Sequence, residues 1–293
     1  MKIVKIAGGF GNQLFQYAFY LALDKKYAEQ VCLDSLDMAK YRLHNGYELE
    51  GIFKLDARYC TEEQRIIVRK DNNIFTKLLS SLKKKLGNNK NYILEPKQEH
   101  FTFHEKSFGQ ANTPTYYKGY WQDVKYLENI EEELKSSLVF PEFELGKNIE
   151  LANFISSNSS VSLHVRRGDY VQHKAFGGIC DLSYYQRAVE QINTLVKDPI
   201  FIVFSDDIQW CKDNLNLEKA KFVDWNIGEN SFRDMQLMTL CKHNIIANSS
   251  FSWWGAWLNA NDDKNVICPD KWVHYTSATG VLPSEWIKIK ASV

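Results

Sequence analysis

The sequence predicts an α/β protein built on parallel sheets, and three observations carry that prediction. In the second half, short apolar runs over 160–166, 200–205, 221–224, 244–247 and 266–268 alternate with helical stretches over 183–196, 207–215, 231–242 and 250–259. Strands that alternate with crossover helices form a parallel, doubly wound sheet. At the start, the run K-I-V-K-I-A over 2–7 passes through glycines into a helix, which is a second βα unit. The chain has 293 residues, 44% of them hydrophobic and 14% aromatic, enough for one large domain or two ordinary ones.

Taken in order, 2–7 is a strand because its residues alternate and include β-branched ones. Gly8, Gly9, Phe10, Gly11 and Asn12 form a tight loop that lets a ligand approach the backbone. They match neither G-x-G-x-x-G nor a P-loop. Leu14, Phe15, Tyr17, Ala18, Leu21 and Ala22 recur at helical spacing over 13–25. A second strand covers 31–34. The stretch 35–61 is mixed, with Tyr41, His44 and Tyr47 near a turn at Asn45-Gly46. Over 75–91, Lys77, Lys83, Lys84, Lys85 and Lys90 accompany Leu78, Leu79, Leu82 and Leu86 on one face. This reads as a solvated surface helix with a basic side; peripheral contact with an anionic membrane is the second reading. Aromatic residues mark a strand over 116–122, and 127–138 is an acidic amphipathic helix stopped near Pro141. The boundary between halves falls between Pro141 and Ser159. It is drawn at 154/155, giving domains 1–154 and 155–293.

Composition excludes several classes. Lys plus Arg and Asp plus Glu both number 36, so the basic excess of a nucleic-acid binder is missing. The six cysteines are scattered, without zinc-site spacing, and read as reduced thiols. No run reaches the about 20 apolar residues that span a bilayer. The run 14–23 is too short for a signal peptide and lacks a cleavage pattern, so a cytoplasmic location is expected.

The chemistry gathers where strands end. Ser162 to Tyr170 reads S-L-H-V-R-R-G-D-Y, an apolar strand running out into His164, Arg166, Arg167 and Asp169. Guanidinium forks grip phosphate oxygens, so a diphosphate is one reading. On this stretch alone, an ion pair between Arg167 and Asp169 explains the charges equally well. The other expected strand ends bring Ser205, Asp206 and Asp207; Asp224 and Trp225; and Asn248, Ser249 and Ser250. The run N-S-S-F-S-W-W-G-A-W starting at Asn248 offers N-cap hydroxyls and amides to an anion. At least two of Trp253, Trp254 and Trp257 belong to the core. Asp207 reads as a helix N-cap. No D-x-D occurs, so the sequence does not call for a divalent cation, and neither metal nor cofactor is expected.

H-V-R-R-G-D-Y (164–170) resembles the phosphate-binding motif of α1,2-, α1,6- and protein O-fucosyltransferases. A-G-G-F-G-N-Q-L-F-Q-Y-A (7–18), G-Y-W-Q (119–122), F-S-D-D (204–207) and N-S-S-F-S-W-W-G-A-W-L-N (248–259) are similar to the α1,2-fucosyltransferases of glycosyltransferase family 11. The resemblance covers nearly the whole chain. It implies a metal-independent, inverting enzyme of the GT-B type, with two Rossmann-like domains, GDP-fucose as donor and a galactose-terminated oligosaccharide, such as an O-antigen, as acceptor. It implies an N-terminal half that takes the acceptor and a C-terminal half that takes GDP. By the same resemblance Arg166 binds the diphosphate, with His164 and Arg167 shaping that pocket and Asp169 orienting the arginines. Asn248, Ser249, Ser250 and Phe251 line the phosphates, and Asp206 or Asp224 stands near the nucleoside. Gly11 joins the residues that bind the donor, and Asn12 faces the fucose or the attacking hydroxyl. The α1,6 relatives carry a glutamate soon after the motif; here Val171 to Asp181 offers only His173 and Asp181. A carboxylate paired with arginines, as Asp169 is expected to be, is a poor proton acceptor.

Overall fold

The computed structural model describes residues 1–27, 30–40, 44–69, 92–96 and 101–291. Tyr41 and the lysine-rich segment over 75–91 lie outside these residues. The chain divides into two units, Met1–Val139 and Phe140–Val293. The division comes before the expected 154/155. That expected point falls inside a helix, Gly146–Ser156, which packs against Phe232–Leu240 of the second unit.

The first unit is a parallel sheet in the order β2-β1-β4-β3, with β1 Lys2–Lys5, β2 Val31–Asp34, β3 Tyr92–Leu94 and β4 Thr115–Lys118. Helix α1, Phe10–Tyr27, starts sooner than the sequence suggests, so Gly11 and Asn12 sit in its first turn and not in a loop. The turn before it is made by Gly8 at φ 84°, after which the amides of Asn12 and Gln13 both close on the Gly9 carbonyl, at 2.9 and 3.1 Å. The core around α1 is aromatic. Phe19 stacks on Trp121 at 4.2 Å and meets Tyr117 and Tyr126 edge-on. Short helices α2 (Leu49–Ile52), α3 (Glu62–Arg69) and α4 (Glu131–Ser137) complete the described part. Lys2 is fully buried on β1, and its ammonium donates to the Gln110 carbonyl at 2.8 Å over the Tyr27 ring.

The second unit begins with α5, Gly146–Ser156, and holds six parallel strands: β5 Ser160–Val165, β6 Ile200–Ser205, β7 Ala220–Val223, β8 His243–Ile245, β9 Val266–Pro269 and β10 Ile287–Ile289. The crossovers carry α6 (Leu182–Leu195), α7 (Ile208–Asn214), α8 (Phe232–Leu240) and α9 (Ser250–Trp257). The spatial order is β10-β9-β8-β5-β6-β7, so the chain builds outward from β5 in one direction and then from β8 in the other. The switch point lies between β5 and β8, and in open α/β sheets the ligand crevice opens at the carboxyl ends of those strands. Val161, Leu163 and Val165 pack on one face against Tyr184, Tyr185 and Ile192 of α6. On the other face Ile202 and Phe204 meet Leu237 and Met238 of α8. Trp253 and Trp254 are fully buried and Trp257 half-buried. Five of the six free cysteines are buried. Among the described residues no helix is long and apolar enough to cross a membrane.

Candidate active site

The switch point carries the charges. β5 is buried along its whole length and ends at Val165, so Arg166 and Arg167 are the first side chains to leave the sheet. A 3₁₀ turn, Gly168–Tyr170, brings Asp169 back to Arg166, where Nη2 donates to Oδ1 at 2.6 Å. From the end of β6, Asp206 places Oδ2 3.1 Å from Nη1 of the same arginine. Its Oδ1 accepts from the Arg167 amide at 2.8 Å. A Cβ on Gly168 would stand 2.6 Å from Asp206 Oδ2, so glycine permits this approach. Arg166 is thus held between two carboxylates, with its face toward the Tyr170 ring at 5.4 Å.

Arg167 has other partners. Its Nε donates to Asp207 at 3.1 Å, and its guanidinium lies 4.1 Å over Trp210. The expected Arg167–Asp169 pair is therefore replaced by Arg166–Asp169 and Arg167–Asp207. Asp207 also caps α7 by accepting from the Trp210 amide at 3.2 Å, as expected from sequence. Trp210 was not foreseen. Asp206 is committed to the arginines. Asp224 stands further out, after edge strand β7, exposed and 3.4 Å from Lys212.

On the β8 side, Asn248 is buried and donates to the Phe176 and Trp272 carbonyls at 3.2 and 3.1 Å, which ties the loop after β5 to that after β9. Ser249 is the N-cap residue of α9, yet its hydroxyl makes no capping bond, contrary to the expected role. Phe251, in the first turn of α9, lies 5.7 Å from the His164 ring. His164 is buried and its Nδ1 has no hydrogen-bond partner among the described residues. Burial, and then the Arg166 charge, push its pKa down from 6.5 to about 3. A depressed imidazole stabilises the fold fully above the unfolded value of 6.5 and loses that contribution as pH falls toward 3. Nitrogen NMR should find His164 neutral at pH 5; an imidazolium signal there would contradict the burial argument.

The first unit's sheet edge holds Asn12, half-buried, whose Oδ1 accepts from Gln122 Nε2 at 2.7 Å. Its neighbour Gly11 is buried in the first turn of α1. Gln13 is a bracket: Nε2 donates to the Gly8 and Gly46 carbonyls, while Oε1 accepts from the Glu48 amide at 3.0 Å. In the loop after Arg166, Asp181 caps α6 through the Tyr184 amide at 2.9 Å. His173 Nδ1 accepts from Ala175 at 3.2 Å. Among the described residues no group of three or more His, Cys, Asp or Glu could hold a metal ion.

The sequence model of Glycosyl transferase family 11 matches residues 1–290. The alpha-1,2-colitosyltransferase of Escherichia coli is 32% identical over 98% of both chains. The O-antigen biosynthesis glycosyltransferase WbnK of Escherichia coli is 30% identical over 97% of this chain and 99% of that one. Galactoside alpha-(1,2)-fucosyltransferase 1 of Rattus norvegicus is 30% identical over 47% of this chain and 39% of its own. Among solved structures, the fucosyltransferase NodZ from Bradyrhizobium superposes with a TM-score of 0.54 at 12% identity, over 87% of this chain and 91% of that one. Two Rossmann-like units with parallel sheets make the architecture GT-B.

Proposed function

Because the chain belongs to glycosyl transferase family 11, we propose that it transfers L-fucose from GDP-β-L-fucose to the 2-hydroxyl of a galactose residue, with inversion and without a metal ion. The observation that carries this reading is Arg166, fixed between Asp169 and Asp206 at the switch point beside the start of α9. A diphosphate leaving group accumulates negative charge as the sugar–oxygen bond breaks, and a preorganised guanidinium there lowers the barrier. The acceptor hydroxyl attacks C1 in line, the C1–O bond to GDP breaks, the hydroxyl proton passes to water or to the departing diphosphate, and GDP leaves against Arg166 and the first amides of α9. Ser249, Ser250 and Phe251 stand at those phosphates, with Asn248 fixing the loop behind them. Neutral His164 lines the same pocket, Arg167 forms its wall, and the nucleoside extends toward Asp206 and Asp224. Gly11 and Asn12 take the sugar side in the first unit.

The likeness to WbnK supports an O-antigen or related surface glycan as the natural product. The likeness to the colitosyltransferase supports a second donor reading, a GDP sugar with one hydroxyl fewer than fucose. Rates with GDP-fucose and GDP-colitose on lactose, N-acetyllactosamine and peptide acceptors test both. Faster turnover of GDP-fucose on the galactosides is expected, and preference for GDP-colitose or for peptides overturns the reading. In EDTA the rate is expected to stay within about two-fold, since the arginine supplies the charge that a metal would; a strict need for a divalent ion contradicts the metal-free mechanism.

A further inference from the structure

G-Y-W-Q, over 119–122, ends β4 at the same edge of the first unit's sheet as the glycine turn after β1. Its conformation is unusual. Trp121 sits at φ 56°, a left-handed setting that a bulky residue adopts only when its surroundings impose it. One constraint is the stack of Trp121 on Phe19, fully buried. The other is Glu95. This residue follows β3, is 5% exposed, and extends the β3–β4 ladder by donating its amide to the Lys118 carbonyl at 3.0 Å. Its carboxylate then reaches across the turn, where Oε2 accepts from the Tyr120 amide at 2.7 Å and Oε1 from the Trp121 amide at 3.3 Å. A Cβ on Gly119 would lie 2.6 Å from Glu95 Cβ and 2.9 Å from the Trp121 ring, so only glycine admits the arrangement.

The next residue, Gln122, is buried and gives its Nε2 to Asn12 Oδ1 at 2.7 Å. Gln16 ties the same two turns together, accepting from the Ala7 amide at 2.8 Å and donating to the Gly119 carbonyl at 3.0 Å. A continuous chain of contacts therefore runs from Glu95 through the 119–122 turn to Asn12. Two amide donors converge on two oxygens, and a carboxylate accepts at both, whereas a carboxamide accepts at one.

We propose that Glu95 is a positioning residue for transfer: by gripping the Tyr120 and Trp121 amides it sets the turn from which Gln122 orients Asn12. The inference rests on the reading of Asn12 as facing the reacting sugar. Burial raises the Glu95 carboxyl to about 7, with the two amides opposing it. Tyr126, which feels the Glu95 charge, is pushed up to about 12, chiefly by burial, and burial also raises Asp123, whose neighbouring cation is Lys125. The double grip is complete when Glu95 is ionised, so activity falls as pH drops through about 7.

Glu95→Gln should lower kcat on the order of 100-fold, the loss that misplacement of a substrate-positioning group brings. It should leave GDP affinity, read by calorimetry, within about two-fold, and abolish the acid limb near pH 7. Gln122→Ala should cause a similar loss. The double variant should be no worse than either, because the two act in series. Hydrogen exchange of the 119–122 amides reads the grip without substrate and should quicken in Glu95→Gln. Absence of wild-type fucose transfer refutes the functional reading alone. Unchanged exchange in Glu95→Gln overturns the grip whatever the donor, and so does wild-type kcat with the acid limb intact. If Glu95→Gln does not fold, additive losses in Gln122→Ala paired with Glu95→Asp overturn it as well.

Discussion

Arg166→Ala is expected to lower kcat on the order of 10³-fold while the second unit stays folded. The size follows from the proposed role: a charged donor aimed at a leaving diphosphate is the largest single electrostatic contribution that role offers. The fold should survive because the arginine leaves the sheet after its last buried residue and is packed into neither face of the core. GDP binding should weaken too, since the removed cation leaves Asp169 and Asp206 without their shared partner. Arg166→Lys should recover only part of the loss, because an ammonium cannot meet two carboxylates and a phosphate through a planar fork. Single-turnover rates together with a thermal melt decide it. Turnover within about tenfold of wild type in a folded Arg166→Ala protein would remove the arginine from the mechanism.

The second large effect belongs to Asp206. This carboxylate has two tasks, one for each oxygen: it accepts from the Arg167 amide and pairs with the Arg166 guanidinium. Asp206→Ala ends both and should cost on the order of 100-fold in kcat, as loss of a positioning contact does. Asp206→Asn keeps an acceptor for the Arg167 amide but forfeits the ion pair, so it should fall between alanine and wild type. Gly168→Ala should reach a similar state from the other side, since its methyl would stand 2.6 Å from Asp206 Oδ2 and push the carboxylate off the arginine. Equal activity in Asp206→Asn and wild type would show that the ion pair does not matter for transfer.

Much of the second unit was legible because its strands are short apolar runs, and burial on both faces writes them as such. β10 was not, because Ile287–Ile289 is three residues long with a lysine in the middle. Helix α5 also escaped, for only Leu151 and Ile155 among its apolar residues are buried, and the polar Asn148 is buried with them. In the first unit, Gly11 and Asn12 look like loop by composition, yet the Gly8 turn lets α1 start at Phe10.

The same division holds for the site. That Arg166 leaves a sheet edge follows from the strand pattern, and its pairing with Asp169 needs only a tight turn. The partnership of Arg167 with Asp207 is set by the β5–β6 register, which places Val165 opposite Ser205. Sequence proximity cannot reveal such a pair. Glu95 was invisible for a like reason. Its two partners belong to β4's turn, and nothing in its own neighbourhood marks it.

The most direct test of the central claim is NMR of the product formed from GDP-β-L-fucose and lactose in EDTA. The account predicts a single fucosyl residue, α-linked to the 2-hydroxyl of galactose. A β-linked product, another linkage, or no product in EDTA from protein that turns over once a divalent ion is restored would contradict it.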